Sequence, residues 1–406
     1  MSGFDPAAMI STRVRQLREA AILRMARLTR ELKAQGADIV ALTLGEPDLD
    51  TPEVIRRAAC EALEAGYTHY PPLPGLPELR AAIAEKLKRE NGLDYGENGV
   101  LVTVGAKQAL ANAIMALIDQ GDEVILPAPY WNAYDILVEL AGGVPVVVAS
   151  DAGRGFQPDV ERIAGAVSGK SKLIMINSPC NPSGAVFSRA TLEGLAEVVR
   201  AHPRLMVISD EIYEHILYEG AEHVSFGALP DMLERTITVN GFSKAYAMTG
   251  WRMGYAAAVP ELVPALAKMQ GAFTSGVCAF AQRAGVAALE RAGEDVARMG
   301  EIYARRRALM LELLEEVPGI RLHAPQGAFY MLPDVSALLE RAGDGQPRDD
   351  LALAEWLLRE HGVGTVPGSA FAAPGTLRLS FATSERNIRE GLSRLREGLR
   401  QLAGGG

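Results

Sequence analysis

Short apolar segments alternate with helical patterns between residues 100 and 259, and this alternation restricts the possible folds more than any other feature of the chain. Segments typical of strands lie at 100–105, 123–129, 144–150, 172–179, 205–210, 235–240 and 254–259. Helical patterns between them begin near Trp131 and cover residues 158–167 and 190–201. Strands that are apolar throughout are buried on both faces, and strands separated by helices usually run parallel. The sequence therefore predicts an α/β fold with a large, mostly parallel sheet covered by helices.

The chain after about residue 260 predicts a second, smaller α+β domain. Long helical stretches follow, including one over residues 297–316, and the segments GAFYMLPD and TLRLSFA are typical of strands. A chain of 406 residues is also long for a single hydrophobic core. We therefore expect a large domain over residues 46–279 and a small domain formed by residues 1–45 together with residues 280–406.

The N-terminal region predicts one helix over residues 11–35. Its apolar positions recur at roughly helical spacing, at Val14, Leu17, Ala21 and Leu28. Further along, Thr51 and Pro52 predict the cap and the first residue of the next helix.

Composition and charge exclude several classes of protein. The net charge is −9, so a general electrostatic attraction to nucleic acid is not expected. No segment approaches the ~20 apolar residues that span a bilayer, and the N-terminal region contains no hydrophobic signal core. The three cysteines, Cys60, Cys180 and Cys278, match neither a disulfide framework nor a metal motif. We therefore expect a cytoplasmic protein without a metal site.

Chemically active side chains follow the ends of several predicted strands. They are Gly105, Ala106 and Lys107 after the first strand of the series, then Asn181, Asp210 with Tyr213, and finally Ser243 with Lys244. In an open α/β sheet, ligands bind beyond the carboxyl ends of the strands. A helix N-terminus, a carboxamide, a carboxylate, a phenol, a hydroxyl and an amine are therefore expected at one edge of the sheet.

This set of groups matches what pyridoxal 5'-phosphate requires. The amine of Lys244 can form a Schiff base with the cofactor aldehyde. The carboxylate of Asp210 can keep the pyridine nitrogen protonated, so that the ring takes up electrons from a carbanion. Asn181 and Tyr213 suit the ring oxygen as hydrogen-bond donors. The phosphate suits a helix N-terminus together with a hydroxyl and the guanidinium of Arg252.

Four motifs give the sequence a family resemblance. SPCNPSG, SDEIY, NGFSKAYAMTGWRMGY and LRLSFA, in that order, resemble the fold-type I, pyridoxal-phosphate-dependent aminotransferases of class I. The bacterial branch that contains aspartate and prephenate aminotransferases is the most similar. The resemblance extends from about residue 10 to 400 and includes LGEPDLDTPE, VTVGAKQAL and APYWNAY.

The resemblance implies a role for each residue of the cofactor site. The residues are Lys244, Asp210, Tyr213, Asn181, Trp131, Gly105, Ala106, Lys107, Ser243, Arg252 and, from a partner subunit, Tyr70. Lys244 would bind the cofactor and then move the proton between the substrate Cα and the cofactor. Trp131 would stack on the ring. Tyr70 of the partner subunit would reach the phosphate, which implies a homodimer with shared active sites.

The resemblance also implies the substrate-binding residues. Arg378 would hold the substrate α-carboxylate with its bidentate fork, which lysine cannot reproduce. Gly45 would let the backbone approach that carboxylate, and Phe329 would line the pocket beside Trp131 and Asn181. Lys107 has two interpretations: it lies near the phosphate, or it reads the distal carboxylate of acidic substrates. The branch has GGKQ at this position and this chain has GAKQ, so one glycine is replaced by Ala106 and a different local loop is expected.

The resulting expectation is a homodimeric, cytoplasmic aminotransferase with a ping-pong mechanism. Glutamate/2-oxoglutarate is expected as one substrate pair and aspartate/oxaloacetate or prephenate/arogenate as the other. Three alternatives remain open. The first is another reaction of the same cofactor, either aromatic or kynurenine transamination or β-elimination. The second is a non-catalytic protein that binds the cofactor, and the third is a nucleotide-dependent enzyme on a similar sheet.

Overall fold

The computed structural model describes residues 5–17, 21–317 and 319–404. Its α-helices are α1 Thr12–Gln16, α2 Ala21–Ala34, α3 Glu53–Glu64, α4 Pro77–Lys86, α5 Gly105–Leu117, α6 Ala133–Leu140, α7 Val160–Ala166, α8 Arg189–Ala201, α9 Val263–Phe273, α10 Ala279–Arg291, α11 Gly293–Glu315, α12 Ser336–Leu339, α13 Asp350–His361 and α14 Glu385–Gly404. Its strands are β1 Val40–Ala41, β2 Val100–Thr103, β3 Glu123–Ala128, β4 Val144–Ala149, β5 Ser171–Asn177, β6 Met206–Asp210, β7 Thr236–Gly241, β8 Gly254–Ala257, β9 Tyr330–Met331, β10 Val363–Gly364, β11 Val366–Pro367 and β12 Leu377–Ser380.

A seven-stranded sheet has the order β2-β8-β7-β6-β5-β3-β4. Strands β3 to β7 pair in parallel, whereas β8 is antiparallel to both β2 and β7. All seven predicted strands are confirmed, and so is the mostly parallel sheet. The first strand is shorter than predicted, because Gly105 already begins α5 with a left-handed backbone (φ +74°).

Helices cover both faces of this sheet, as predicted. Leu173 and Met175 of β5 pack into the same apolar core as α5, α6 and α9. Ile174 and Ile176, the alternate residues, pack with α7 and α8 on the other face. Since successive side chains of a strand point to opposite faces, a run of apolar residues buries both faces at once.

A second core contains β1, α11, α13 and α14. Strand β1 pairs in parallel with β10, so a segment from near the start of the chain is joined to the C-terminal region. Strand β12 lies between β11 and β9 in an antiparallel sheet. The domain boundaries predicted at residues 46 and 279 stay a prediction.

Two predictions about the N-terminal part of the chain are wrong. The helix predicted over residues 11–35 is divided: α1 ends at Gln16 because Leu17 takes an extended backbone (φ −63°, ψ 125°), and α2 begins at Ala21. Residues 18–20 lie outside the described part of the chain.

The predicted helix cap at Thr51 is the second error. Pro52 is the capping residue of α3, without a side-chain hydrogen bond. The Thr51 hydroxyl instead donates to the carbonyl of Ala247 at 2.6 Å and accepts from the indole of Trp251 at 3.1 Å. These tertiary hydrogen bonds replace the local cap.

Candidate active site

A cleft of about 410 Å³ lies beyond the carboxyl ends of β5, β6 and β7. The predicted residues that line it are Gly45, Ala106, Lys107, Trp131, Asn181, Asp210, Tyr213, Ser243, Lys244, Arg252 and Arg378. Residues of the seven-stranded sheet and of the C-terminal region thus meet at one site. Strand β12 brings Arg378 to the sheet edge that carries Asp210 and Lys244.

Lys244 follows β7 and points into the cleft. Its Nζ donates to the carbonyl oxygen of Gly45 at 2.5 Å and lies 5.8 Å from the ring centre of Tyr213. Burial, and secondarily the positive charge of Arg378, lowers the pKa of Lys244 to about 8. A substantial fraction of this amine is therefore neutral near pH 8, as a nucleophilic or proton-accepting lysine requires.

Asp210 ends β6 and is buried beside the cleft. The hydroxyl of Tyr134 donates to its Oδ2 at 2.7 Å, and the backbone amide of Ile212 donates to its Oδ1 at 3.3 Å. Burial raises the pKa of Asp210 to about 6. Within the described chain, no cationic nitrogen lies within 4.0 Å of this carboxylate. A protonated ring nitrogen would supply the missing positive partner, so Asp210 fits the cofactor.

Tyr134 is a residue that the sequence analysis missed. It stands three positions after Trp131, and the two rings meet edge to face with centres 5.9 Å apart. The APYWNAY motif contained a signal, since residues three apart lie on the same face of a helix start. The polar groups predicted for the site follow strand ends, whereas Tyr134 lies in α6.

Asn181 and Tyr213 occupy the middle of the cleft. The side-chain oxygen of Asn181 accepts from Arg378 at 3.1 Å, while its backbone amide donates to Asn177 at 2.8 Å. Asn177 in turn donates to the backbone carbonyl of Asp210 at 2.9 Å. The Tyr213 hydroxyl lies 2.8 Å from the hydroxyl of Tyr330. Asn177 and Tyr330, which also line the cleft, therefore fix the two predicted donors in place.

The start of α5 and Arg252 form a cationic end of the cleft. A side-chain carbon at Gly105 would lie 2.8 Å from a guanidinium nitrogen of Arg252, and one at Gly254 would lie 2.4 Å from the amide nitrogen of Ala106. Only glycine at both positions lets the arginine and the helix start approach this closely. Lys107 is in the same first turn, and its pKa is lowered by burial and by the nearby Arg252. Helix amides and the guanidinium of Arg252 suit a dianionic phosphate, and Lys107 can reach either this phosphate or a substrate anion.

Trp131 forms one wall of the cleft and holds Lys107. The lysine Nζ lies 4.8 Å from the centre of the indole ring, within the range of a cation–π contact. The indole of Trp131 lies against Tyr134, the residue that donates to Asp210. Its flat face is suited to stacking on a planar ring.

Arg378 is a buried cation without an acidic partner. Its guanidinium donates to the carbonyl of Thr43 at 2.8 Å and to Asn181 at 3.1 Å, and its Nε is buried without a hydrogen bond. Among the residues that the structure describes, no carboxylate lies within 4.0 Å of its nitrogens. An unpaired guanidinium facing a cleft fits an anionic substrate group, because burial makes an uncompensated charge costly.

Three predicted residues lie off the wall of the cleft. Phe329 is fully buried with its ring centre 5.5 Å from that of Tyr213, and the neighbouring Tyr330 forms the wall instead. Gly105 lies behind Arg252. Tyr70 is 95% exposed and outside this chain's own cleft.

Known proteins resemble this chain over nearly its whole length. Residues 37–395 match the family model for aminotransferases of class I and II. The aspartate/prephenate aminotransferase of Thermus thermophilus is 46% identical over 390 residues, which cover 95% of this chain and 97% of that protein. The aspartate/prephenate aminotransferase of Cereibacter sphaeroides is 42% identical over 391 residues, which cover 96% and 98%.

A solved structure gives the same result. The aspartate aminotransferase from Thermus thermophilus with maleate is 45% identical and superposes with a TM-score of 0.89, covering 96% of this chain and 99% of that chain. The predicted α/β fold of type I and the predicted cofactor, pyridoxal 5'-phosphate, are confirmed. The chain therefore belongs to the class I and II aminotransferase family and is a pyridoxal-phosphate-dependent transferase.

Proposed function

We propose that this aminotransferase exchanges amino groups between glutamate/2-oxoglutarate and a second acidic pair, aspartate/oxaloacetate or prephenate/arogenate, by a ping-pong mechanism. The supporting observation is the charge of the cleft: four cations, Lys107, Lys244, Arg252 and Arg378, line it with the carboxylates of Glu46 and Asp210. With Lys244 used by the cofactor, Arg252 and the helix amides on the phosphate, and Arg378 on the α-carboxylate, Lys107 is the cation left for a second carboxylate. The relatives named above act on aspartate and prephenate.

The cofactor and the protein divide the chemistry. Bound pyridoxal phosphate supplies the aldehyde for the substrate amine and the ring that takes up the electron pair from Cα. Asp210 holds a proton at the ring nitrogen, and Tyr213 and Asn181 donate to the ring oxygen. Lys244 accepts the proton from the substrate Cα, for which its lowered pKa is suited.

The remaining residues bind and orient. Arg378 holds the α-carboxylate, and the close backbone of Gly45 limits where it can sit. Trp131 stacks on the cofactor ring. Ser243, Arg252 and the first turn of α5, with Ala106, hold the phosphate.

Lys107 is the proposed reader of the distal carboxylate. Its Nζ lies 4.8 Å from the centre of the Trp131 ring, and both residues line the cleft. Lys107→Ala should then reduce turnover of aspartate and glutamate far more than turnover of aromatic donors. Equal losses for both classes would instead assign Lys107 to the phosphate.

A panel of amino donors tests the proposal directly. Each donor is measured with 2-oxoglutarate and with oxaloacetate as acceptor, and acidic donors should give the highest kcat/KM. A preference for aromatic donors would contradict the substrate assignment. Release of pyruvate and ammonia without an oxo acid would indicate a β-lyase. Lys244→Ala provides the control, since a variant with full turnover would contradict the catalytic assignment.

We also propose a homodimer in which Tyr70 of each chain reaches the phosphate in the partner's cleft. Tyr70 is 95% exposed and Phe273 is 62% exposed, and large exposed aromatic side chains are typical of interfaces. Light scattering should give twice the mass of one chain. Tyr70→Phe should weaken cofactor binding without changing that mass.

A cytoplasmic location completes the proposal. Cys60, Cys180 and Cys278 are all free thiols, which suits a reducing compartment. None of the described helices has the length and apolar character to cross a bilayer. Cell fractionation tests the location.

A further inference from the structure

Behind the cleft lies a group of buried polar side chains that the proposed mechanism does not use. This polar cluster consists of Lys86, Asn91, Glu214 and Asn240, which are between 2% and 8% exposed. The Glu214 carboxylate accepts from Lys86, from Asn240 at 2.7 Å and from Asn91 at 2.6 Å. Lys86 also donates to Asn91 at 2.8 Å.

The polar cluster is saturated by its own donors. Glu214 lies close enough to Glu211 and His223 for a metal ion to be considered, with ligand atoms within 4.8 Å of one another. Both oxygens of Glu214 already accept hydrogen bonds from the polar cluster, however, and those of Glu211 accept from Ser209 and Ser225. The arrangement therefore suits a fixed internal network better than a ligand site.

The polar cluster connects segments that carry cofactor-side residues. Glu214 directly follows Tyr213, and Asn240 is in β7, four residues before Lys244. The Glu214–Asn240 hydrogen bond thus joins the turn after Asp210 to the strand that delivers the lysine. Asn91 makes an equally short hydrogen bond to the same carboxylate from a segment with no residue in the cleft.

We propose that Glu214 and Asn240 are positioning residues, whose hydrogen bond sets the distance between the Tyr213 turn and the Lys244 segment and so the alignment of both with the cofactor. A buried ion pair adds little net stability over apolar residues of similar volume, and a fully hydrogen-bonded buried network is rigid. The inference rests on the cofactor roles proposed above for Tyr213 and Lys244.

Two matched asparagine variants separate positioning from general stability. Asn240→Ala removes the link to β7, and Asn91→Ala removes the other asparagine from the same carboxylate. Asn91 also bonds to Lys86 and to Ser225 at 2.8 Å, so its loss should destabilise the fold at least as much. The Asn240 side chain in addition accepts from the amide of Gly241 at 2.7 Å.

The measurements are the dissociation constant of pyridoxal phosphate, the pH midpoint of the visible absorption of the bound cofactor, kcat, and the urea midpoint of the cofactor-free protein. Asn240→Ala should weaken cofactor binding by about fivefold or more, shift the absorption midpoint, and lower kcat by about tenfold or more. Asn91→Ala should change the three cofactor-dependent readouts by less than about twofold, although its urea midpoint falls at least as far.

Glu214→Met removes the acceptor from the other end of the same hydrogen bond and should reproduce the cofactor defect. Equal cofactor effects in the two asparagine variants would overturn the proposal, as would normal cofactor binding and turnover in Asn240→Ala or in Glu214→Met. Failure of the proposed function looks different: Lys244→Ala would then keep the wild-type absorption and turnover.

Discussion

Asp210 and Glu214 are buried carboxylates four residues apart, and their surroundings shift their pKa values in opposite directions. Burial raises the pKa of Asp210 to about 6, since its partners are a phenol and a backbone amide. Burial acts on Glu214 in the same direction, but the charge of Lys86, those of His215 and His223 and the hydrogen bond from Asn91 together outweigh it and lower the pKa of Glu214 to about 2. One carboxylate is satisfied within the polar cluster, and the other is left for a ligand.

The same contrast holds for the buried cations. Lys86 has a carboxylate partner in Glu214, whereas Arg378 has neutral oxygens and an unbonded Nε. Paired charges thus lie behind the cleft and unpaired charges line it. Binding energy is therefore available in the cleft and not behind it, because only an unpaired buried charge gains strongly when a ligand arrives.

Breaking the internal pair should give the largest effect. Lys86→Met leaves Glu214 buried without its cation and should lower the free energy of unfolding by about 3–5 kcal/mol. Urea unfolding of the cofactor-free protein measures it. Arg378→Met is the matched control and should lose clearly less, since it leaves neutral oxygens behind. Equal losses would remove the distinction between the two regions.

Replacing the unpaired cation, Arg378, should instead weaken substrate binding. Arg378→Lys keeps the charge but loses the planar fork, so kcat/KM should fall by the equivalent of about 2–4 kcal/mol, mainly through KM. Steady-state kinetics with an acidic donor measure it, and urea unfolding shows whether the fold is intact. A near-normal KM would contradict the carboxylate-binding role.

The two carboxylates should also respond oppositely to pH. The pKa of Asp210 is raised from 3.8 to about 6 on folding, so its contribution to stability is lost as pH rises through that window. Asp210→Asn should therefore stabilise the cofactor-free protein by about 1–3 kcal/mol at pH 7, with the gain disappearing near pH 4. For Glu214 the pKa falls from 4.5 to about 2, so its contribution is lost as pH falls through that range. Urea unfolding at several pH values tests both signs.

The smallest expected effect concerns the partner of Asp210. Tyr134→Phe removes a hydrogen bond that favours the ionised carboxylate, so the pKa of Asp210 should rise above about 6. Turnover at neutral pH should fall by about fivefold, and the acid limb of the pH–rate profile should move to higher pH. An unchanged acid limb would show that Asp210 does not depend on this phenol.

Much of the fold could be predicted from the sequence, because apolar runs and strand ends are local signals. The continuous run at β5 and the polar residue ending β6 placed Asp210 at the correct edge of the sheet. Partners distant in sequence left no such signal. Lys86 meets Glu214 across 128 residues, and Thr51 meets Ala247 across 196, so neither contact follows from spacing.

Gly254 determines the shape of the cleft although it has no side chain. A side-chain carbon there would lie 2.4 Å from the amide nitrogen of Ala106 in the first turn of α5, so the cationic end of the cleft owes its shape to the absence of a side chain. A search for functional positions that scores only reactive groups would pass over this residue. Any redesign of this end of the cleft is therefore limited at a position that has no reactive group of its own.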